Sequence, residues 1–162
     1  MVEIFKKPKV TDPIEIDVIE EAVKAAVEHE DYQEAAVQLQ TLLAPDQADL
    51  IESMEPEEQD MIFPLLHPEN SADILEELED EEAANIASRQ DVEQLAMIVQ
   101  YMEPDEAADL IGDMVPQQAN ELLDAIPESD EVIPLLAYKD DSAGGLMTKL
   151  PVTIYMEHTV QE

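Results

Sequence analysis

The chain repeats an arrangement of apolar and acidic positions with a period of twelve residues. In the clearest copy Pro104 precedes two acids, and Ala107, Leu110, Ile111 and Met114 fall at helical spacing on one face. Acids in the first turn favour a helix because they complement its positive end. Copies of the pattern begin at Ala48, Asp60, Ala72, Ala84, Ala96, Ala108, Asn120 and Val132.

The third, fourth and seventh positions of the copies are nearly all apolar. The eight copies provide 24 such positions, and 22 of them are apolar, with Gln90 and Pro134 as the exceptions. Roughly 11 would be expected from the 45% apolar composition of the chain. The repeat is therefore a structural signal and not a consequence of composition.

A twelve-residue unit has room for about two turns of helix and a short connection. Such a helix is too short to be stable alone, so it must stack on its neighbours. Two units make one helix hairpin, which gives a 24-residue structural repeat. The sequence predicts an all-α fold, a superhelical right-handed or solenoid-like array of short antiparallel helices.

Residues on either side of the repeat suggest the domain boundaries. Residues 1–13 hold three of the seven lysines and arginines and predict a flexible N-terminal tail. Asp12 and Pro13 are typical of a helix start, and Tyr32 to Leu43 predicts a second helix. We expect one helical-repeat domain over residues 14–138.

Prolines inside two of the repeat units predict local breaks. Pro64 and Pro134 fall within their units, so those helices should be short or interrupted. The residues 89–91 predict a loop, and His67 before Pro68 predicts a turn or a helix cap.

The last residues of the chain have a different pattern. Gly144 and Gly145 are two of only three glycines and mark a junction. Residues 151–156 are enriched in β-branched and aromatic side chains, which favours a strand. A single strand cannot pair its own backbone, so we expect residues 139–162 to form a linker and the truncated, β-containing beginning of a second domain.

Composition limits the kind of core and the compartment. Aromatic residues make up 4%, and tryptophan and cysteine are absent, so the core must be aliphatic. The lack of cysteine excludes disulfides and thiolate metal sites and is compatible with an intracellular location. No apolar run approaches the 18 or so residues of a membrane span.

Charge narrows the possible partners. Forty-one acids oppose seven lysines and arginines, for a formal net charge of −34. This balance excludes a nucleic-acid binder, since phosphate contacts need a cationic surface, and disfavours docking on anionic lipid. The acids either form a solvated surface that keeps the chain soluble, or crowd together and need a cation.

No catalytic arrangement is present in the sequence. The three histidines are scattered without ligand spacing, and the adjacent glycines lack the context of a phosphate-binding loop. We therefore predict that the protein is not an enzyme.

A divalent cation fits the acids better. Asp105 and Asp109 lie four residues apart, on one helix face and off the apolar stripe. Mg²⁺ prefers oxygen ligands, usually one or two carboxylates with retained water. Spacing alone is weak support, because acidic helices produce such pairs routinely. The pair Glu76 and Glu77 is more typical of a solvent face or a helix start.

A stretch near the C-terminus resembles a known family. Residues 141–148 read Asp-Ser-Ala-Gly-Gly-Leu-Met-Thr, and they resemble the junction segment of the MgtE family of magnesium transporters. The upstream repeats also resemble the N domain of that family, so the resemblance covers roughly residues 14 to 162. The Ala-Gly-Gly-Leu-Met-Thr run is its more specific part.

The resemblance implies the cytoplasmic domain of a cell-membrane protein that senses Mg²⁺. In that family the N domain precedes a pair of CBS domains and a transmembrane pore domain, and the full-length protein is a homodimer. Mg²⁺ ions bridge acidic N-domain and CBS surfaces and favour the closed state. By position, Asp73, Asp105 and Asp109 match N-domain acids, and Gly145 matches a backbone-carbonyl ligand. Asp73 stands where glutamate is expected as often.

An interaction scaffold remains as the alternative. An acidic α-solenoid without specific ion sensing would recognise a basic or amphipathic partner in its groove. A response to Mg²⁺ beyond salt screening discriminates the two functions.

Overall fold

The computed structural model describes residues 9–127 and 132–137. Over these ranges the chain forms nine α-helices and two short 3-10 helices, with no strand. The predicted all-α class is confirmed, whereas the predicted strand at 151–156 lies outside the described residues. The α-helices are α1 Pro13–Glu28, α2 Tyr32–Leu39, α3 Ala44–Glu52, α4 Pro56–Ile62, α5 Pro68–Glu77, α6 Asp80–Ser88, α7 Val92–Val99, α8 Pro104–Asp113 and α9 Pro116–Ala125.

Two local devices start these helices. Six of them carry proline in their first turn, where its missing N–H costs no hydrogen bond. Asp12, Asp31 and Asp91 cap α1, α2 and α7, since each carboxylate accepts backbone N–H groups of the first turn. His67 caps α5 by accepting the Glu69 N–H through Nδ1 at 3.3 Å. The caps predicted at Asp12 and His67 are therefore confirmed.

The predicted interruptions occur at the prolines. The helix α4 ends at Ile62, and the 3-10 helix Phe63–Leu65 follows with Pro64 inside it. Pro134 lies in a turn before the 3-10 helix Leu135–Ala137. The predicted end of the second helix is wrong. The helix α2 stops at Leu39, because the next backbone N–H groups turn back to form i, i+3 hydrogen bonds.

The helices pack in two rows that follow the 24-residue repeat. The helices α3, α5, α7 and α9 begin at residues 44, 68, 92 and 116, a constant step of 24, and each contacts the next one in this series. The helices α2, α4, α6 and α8 make the corresponding contacts in the second row. Because each helix packs on the helix two places further along, neighbouring hairpins cover each other's apolar faces. The handedness of the array stays a prediction.

The buried positions are those of the sequence repeat. The first seven copies each place an aliphatic side chain at their third position in the core, with at most 4% of its surface exposed, whereas Pro134 of the eighth copy is exposed. Burying one such side chain stabilises the fold by about 1.5–3 kcal/mol. Small alanines at the first position allow close approach of the helices. The third-position residues are Leu50, Ile62, Ile74, Ile86, Ile98, Leu110 and Leu122.

The residues before α1 contact the helical body. The Val10 N–H donates to the Thr41 carbonyl at 2.9 Å, and Lys9 Nζ donates to Asn70 Oδ1 on α5 at 2.9 Å. Lys9 Nζ also donates to the Gln40 carbonyl at 3.2 Å. The end of the predicted tail is thus joined to the turn that follows α2 and to α5. The predicted domain boundaries stay predictions.

Candidate functional site

An acidic site lies where the end of α5 approaches the beginning of α8. Its members, Asp73, Glu76, Glu103, Asp105 and Glu106, are called the α5–α8 site below. The Glu103 backbone N–H donates to Glu76 Oε1 at 2.8 Å, across 27 residues of sequence. Glu103 is the N-cap of α8, so its N–H has no helical partner of its own. This hydrogen bond links the two helix ends.

The site raises the pKa of two glutamates. Burial is the largest cause for Glu76, and the charges of Asp73, Glu103 and Asp105 raise its pKa further, against the lowering effect of the Glu103 N–H. Burial likewise raises the pKa of Glu106, followed by the charges of Asp105, Glu76 and Asp80. No cationic side chain is among these causes. The carboxylates therefore repel one another without a counter-charge from the described part of the chain.

Asp105 carries the clearest sign of an incomplete site. Its Oδ1 atom is excluded from solvent and has no hydrogen-bond partner in residues 9–127 and 132–137. A buried carboxylate oxygen without a donor is costly, because water no longer solvates it. A cation placed against this oxygen would remove that cost.

The structure brings together two of the predicted site residues. Asp73 on α5 and Asp105 on α8 are both half-buried, and both act on the carboxyl of Glu76. Asp109 is half-buried one turn further along α8. Gly145 lies outside the described residues.

Sequence reasoning missed Glu76 and Glu106 as members of this site. The solvent-face expectation is wrong for Glu76, which is half-buried and accepts the Glu103 N–H, but Glu77 is exposed as expected. One signal was available, since Glu76 lies three residues after Asp73 and thus on the same helix face.

The donor set fits Mg²⁺ without completing a centre. Carboxylate oxygen is the ligand type that Mg²⁺ prefers, and one or two carboxylates with water often suffice. Among the residues that the structure describes, no group of three or more histidine, cysteine or acidic side chains is arranged to hold a metal ion. Asp105 Oδ1 fits a bound cation, and further ligands would have to come from water or from other parts of the protein.

A second polar cluster joins α4 to the end of α6. Arg89 Nε lies 2.7 Å from Asp60 Oδ1, and Arg89 Nη2 donates to Gln59 Oε1 at 2.5 Å. Arg89 Nη1 also contacts Asn85 Oδ1. Residues 89–91 follow α6 outside any helix, as predicted, but the sequence did not reveal the contacts of Arg89. We call this cluster the α4–α6 clasp.

Within the described ranges, no helix combines the length and the apolar character needed to cross a bilayer.

The comparisons with known proteins agree with the predicted resemblance. The family model described as the MgtE intracellular N domain matches residues 42–141, which are 100 of the 162 residues. The match covers most of the short-helix array, so it identifies the class of domain to which the array belongs. The chain belongs to the MgtE intracellular N domain family, and the predicted intracellular location agrees with that description. No curated protein matches the chain.

Two solved structures have similar folds. One, described as the soluble part of a magnesium transporter, is 20% identical with a TM-score of 0.70, over 82% of this chain and 54% of that one. The other, the cytosolic domain of the Mg²⁺ channel MgtE in complex with ATP, is 25% identical with a TM-score of 0.72, over 80% of this chain and 54% of that one. This chain therefore spans about half the length of either structure.

Proposed function

We propose that this chain is the Mg²⁺-sensing regulatory domain of an MgtE-like magnesium transporter or channel. The family match and the two similar structures support the transporter context. The sensing role rests on one observation. Asp105 Oδ1 is excluded from solvent and has no hydrogen-bond partner in the described part of the chain. It lies in a cluster whose acids raise one another's pKa.

The acidic site would respond to the concentration of Mg²⁺. Without a cation, the charges of Asp73, Glu76 and Asp105 oppose close packing of any further acidic surface against this face. A bound divalent cation cancels part of this repulsion, so it favours the arrangement in which the acidic surfaces are close. Since binding and domain arrangement are linked, the cation concentration sets the population of the compact state.

The remaining ligands are proposed to come from the rest of the full-length protein. The predicted partners are the CBS domains, whose surfaces Mg²⁺ would bridge to this domain, and a transmembrane pore domain in a homodimer. Asp109 and Gly145 are proposed to join Asp73 and Asp105 around the ions. In this account the ion-bridged state favours the closed pore, and the domain acts as a regulator without catalysing a reaction.

The test is Mg²⁺ transport by the full-length protein reconstituted in liposomes. We expect Mg²⁺ on the cytoplasmic side to inhibit the wild type, and Asp105→Asn to require about tenfold more Mg²⁺ for the same inhibition, a difference of about 1.4 kcal/mol. Asp124→Asn removes the same charge from an exposed position on α9 and serves as the control. Equal inhibition of all three proteins would refute the sensing role and favour an acidic interaction scaffold without ion sensing.

A further inference from the structure

A second acidic feature lies in a groove between α6 and the connection of α8 to α9. The groove has a volume of about 980 Å³, and its lining includes Glu81, Glu82 and Asp113 beside the apolar Ala84, Met114 and Val115. Gln118 Nε2 donates to the Ser88 carbonyl at 2.9 Å across one part of the lining, which joins α9 to α6. The walls are therefore held by a contact between helices.

Among the described residues, no ion pair to a lysine or arginine is seen for Glu81, Glu82 or Asp113. The described residues include three lysines and arginines: Lys9 contacts Asn70, Lys24 pairs with Glu20, and Arg89 pairs with Asp60. Arg89 also contacts Asn85, which lines the groove, but its ion pair is with Asp60 outside the lining. The α6 acids lie in its first turn, where the helix dipole favours them. Asp113 ends α8, where the dipole disfavours an acid, so local helix stability does not explain it.

An apolar side chain borders the same groove. Val115 is 58% exposed and occupies the N-cap of α9, where it makes no side-chain cap hydrogen bond. Valine is a poor residue for an N-cap, where serine, threonine, aspartate or asparagine would satisfy a backbone N–H. An exposed valine beside uncompensated acids matches a ligand that is both cationic and aliphatic.

We propose that this groove docks a lysine- or arginine-rich peptide segment of a partner protein, with an aliphatic side chain of that segment packed on Val115. Charge complementarity selects the partner, because the acids on both walls would pair with its cations. A small apolar ligand fits less well, since such ligands prefer pockets lined mainly by apolar side chains. The groove variants chosen below leave Asp73, Glu76 and Asp105 intact, so the proposal stands apart from Mg²⁺ sensing.

The test is fluorescence anisotropy with the intact chain and a short fluorescein-labelled peptide of lysine and leucine, in EDTA to exclude divalent cations. The groove variant combines Glu81→Gln, Glu82→Gln and Asp113→Asn. Its matched control removes the same three charges from the exposed face of α1, through Asp17→Asn, Glu21→Gln and Glu28→Gln. Circular dichroism checks that both variants keep their helices.

We expect the groove variant to weaken peptide binding about tenfold and the α1 variant less than about twofold. Val115→Ser should weaken binding without lowering the melting temperature, because serine is a better N-cap than valine. Replacing the leucines of the peptide by serine should also weaken binding. Equal losses in both triple variants, or equal binding of the serine peptide, would show only general attraction to an acidic protein and overturn the proposal.

Discussion

The α4–α6 clasp and the α5–α8 site are both polar contacts between helices distant in sequence, yet their charges are arranged in opposite ways. In the clasp, Arg89 lies between Asp60 and Gln59 and provides a positive charge. In the α5–α8 site, Glu76 accepts a backbone N–H and otherwise faces Asp73 and Asp105. The clasp is thus completed by its own cation, whereas no cationic side chain is seen in the α5–α8 site among the described residues.

This difference in charge arrangement gives the clasp a structural role and makes the α5–α8 site sensitive to protons and metal ions. The Asp60 carboxylate already pairs with Arg89, so the clasp needs no metal ion to offset its charge and serves to hold two helices together. A cluster of acids with raised pKa values changes its free energy when protons or metal ions bind. The same helical repeat therefore supports a fixed connection at α4–α6 and, in our account, an ion-sensitive one at α5–α8.

Breaking the clasp should give the largest effect on stability. Arg89→Met removes the ion pair to Asp60 and leaves the 2%-exposed Gln59 without a donor for its side-chain oxygen. Because an unsatisfied buried acceptor costs about 1–3 kcal/mol, we expect a loss of about 2 kcal/mol in the free energy of unfolding. Urea denaturation followed by circular dichroism measures it.

Lys24→Met is the control for this substitution. Lys24 pairs with Glu20 at 3.6 Å on the surface of α1, so its loss should cost under about 0.5 kcal/mol. Equal costs for the two substitutions would show that the clasp is only another surface ion pair.

The free energy of unfolding should depend on pH through the α5–α8 site, where acids lie close together without a cation. The pKa values of Glu76 and Glu106 in the folded state are raised above about 4.5, the ordinary value of a glutamate carboxyl. Above this pH, these two carboxyls therefore hold more protons in the folded state than in the unfolded state. The contribution of these two groups to stability therefore falls as pH rises from this value through the raised pKa values. Acidification through the same window from above restores it.

Glu76→Gln isolates this contribution, because the amide oxygen can still accept the Glu103 N–H while the charge is lost. We expect the variant to be about 0.5 kcal/mol more stable than the wild type at neutral pH. Its free energy of unfolding should also change less than that of the wild type as pH rises from about 4.5 through the raised pKa values. Glu77→Gln removes a charge from an exposed position of the same helix and should change little. A Glu76→Gln profile identical to that of the wild type would contradict the assigned pKa shift.

The periodicity of apolar residues predicted the helical units well, because each unit repeats the same spacing of apolar side chains along a short helix. The third-position aliphatics from Leu50 to Leu122 are buried in the first seven copies, and Pro64 interrupts its helix as expected. Local signals of this kind need no knowledge of distant residues. The length of the second helix was missed, because tertiary contacts and turns beyond Leu39 decide where α2 ends.

The two polar clusters were harder to predict, because they join residues about 30 positions apart. One sequence signal for the clasp existed: Asp60 replaces the alanine found at the same position of most copies, beside a buried Gln59. For the acidic site, spacing grouped Asp105 with Asp109. Its link to Asp73 through Glu76 depends on how α8 approaches α5, which the repeat pattern alone does not specify.

Thermal unfolding in MgCl₂ against NaCl of equal ionic strength tests the central claim most directly. It should be measured on this chain and on a chain extended through the next two domains. A ligand that binds only the folded state stabilises it as the logarithm of its concentration over Kd. We predict that Mg²⁺ raises the melting temperature of the extended chain more than Na⁺ does, and that Asp73→Asn with Asp105→Asn abolishes this difference. Equal effects of Mg²⁺ and Na⁺ in both chains would show that these acids are only a solvated surface.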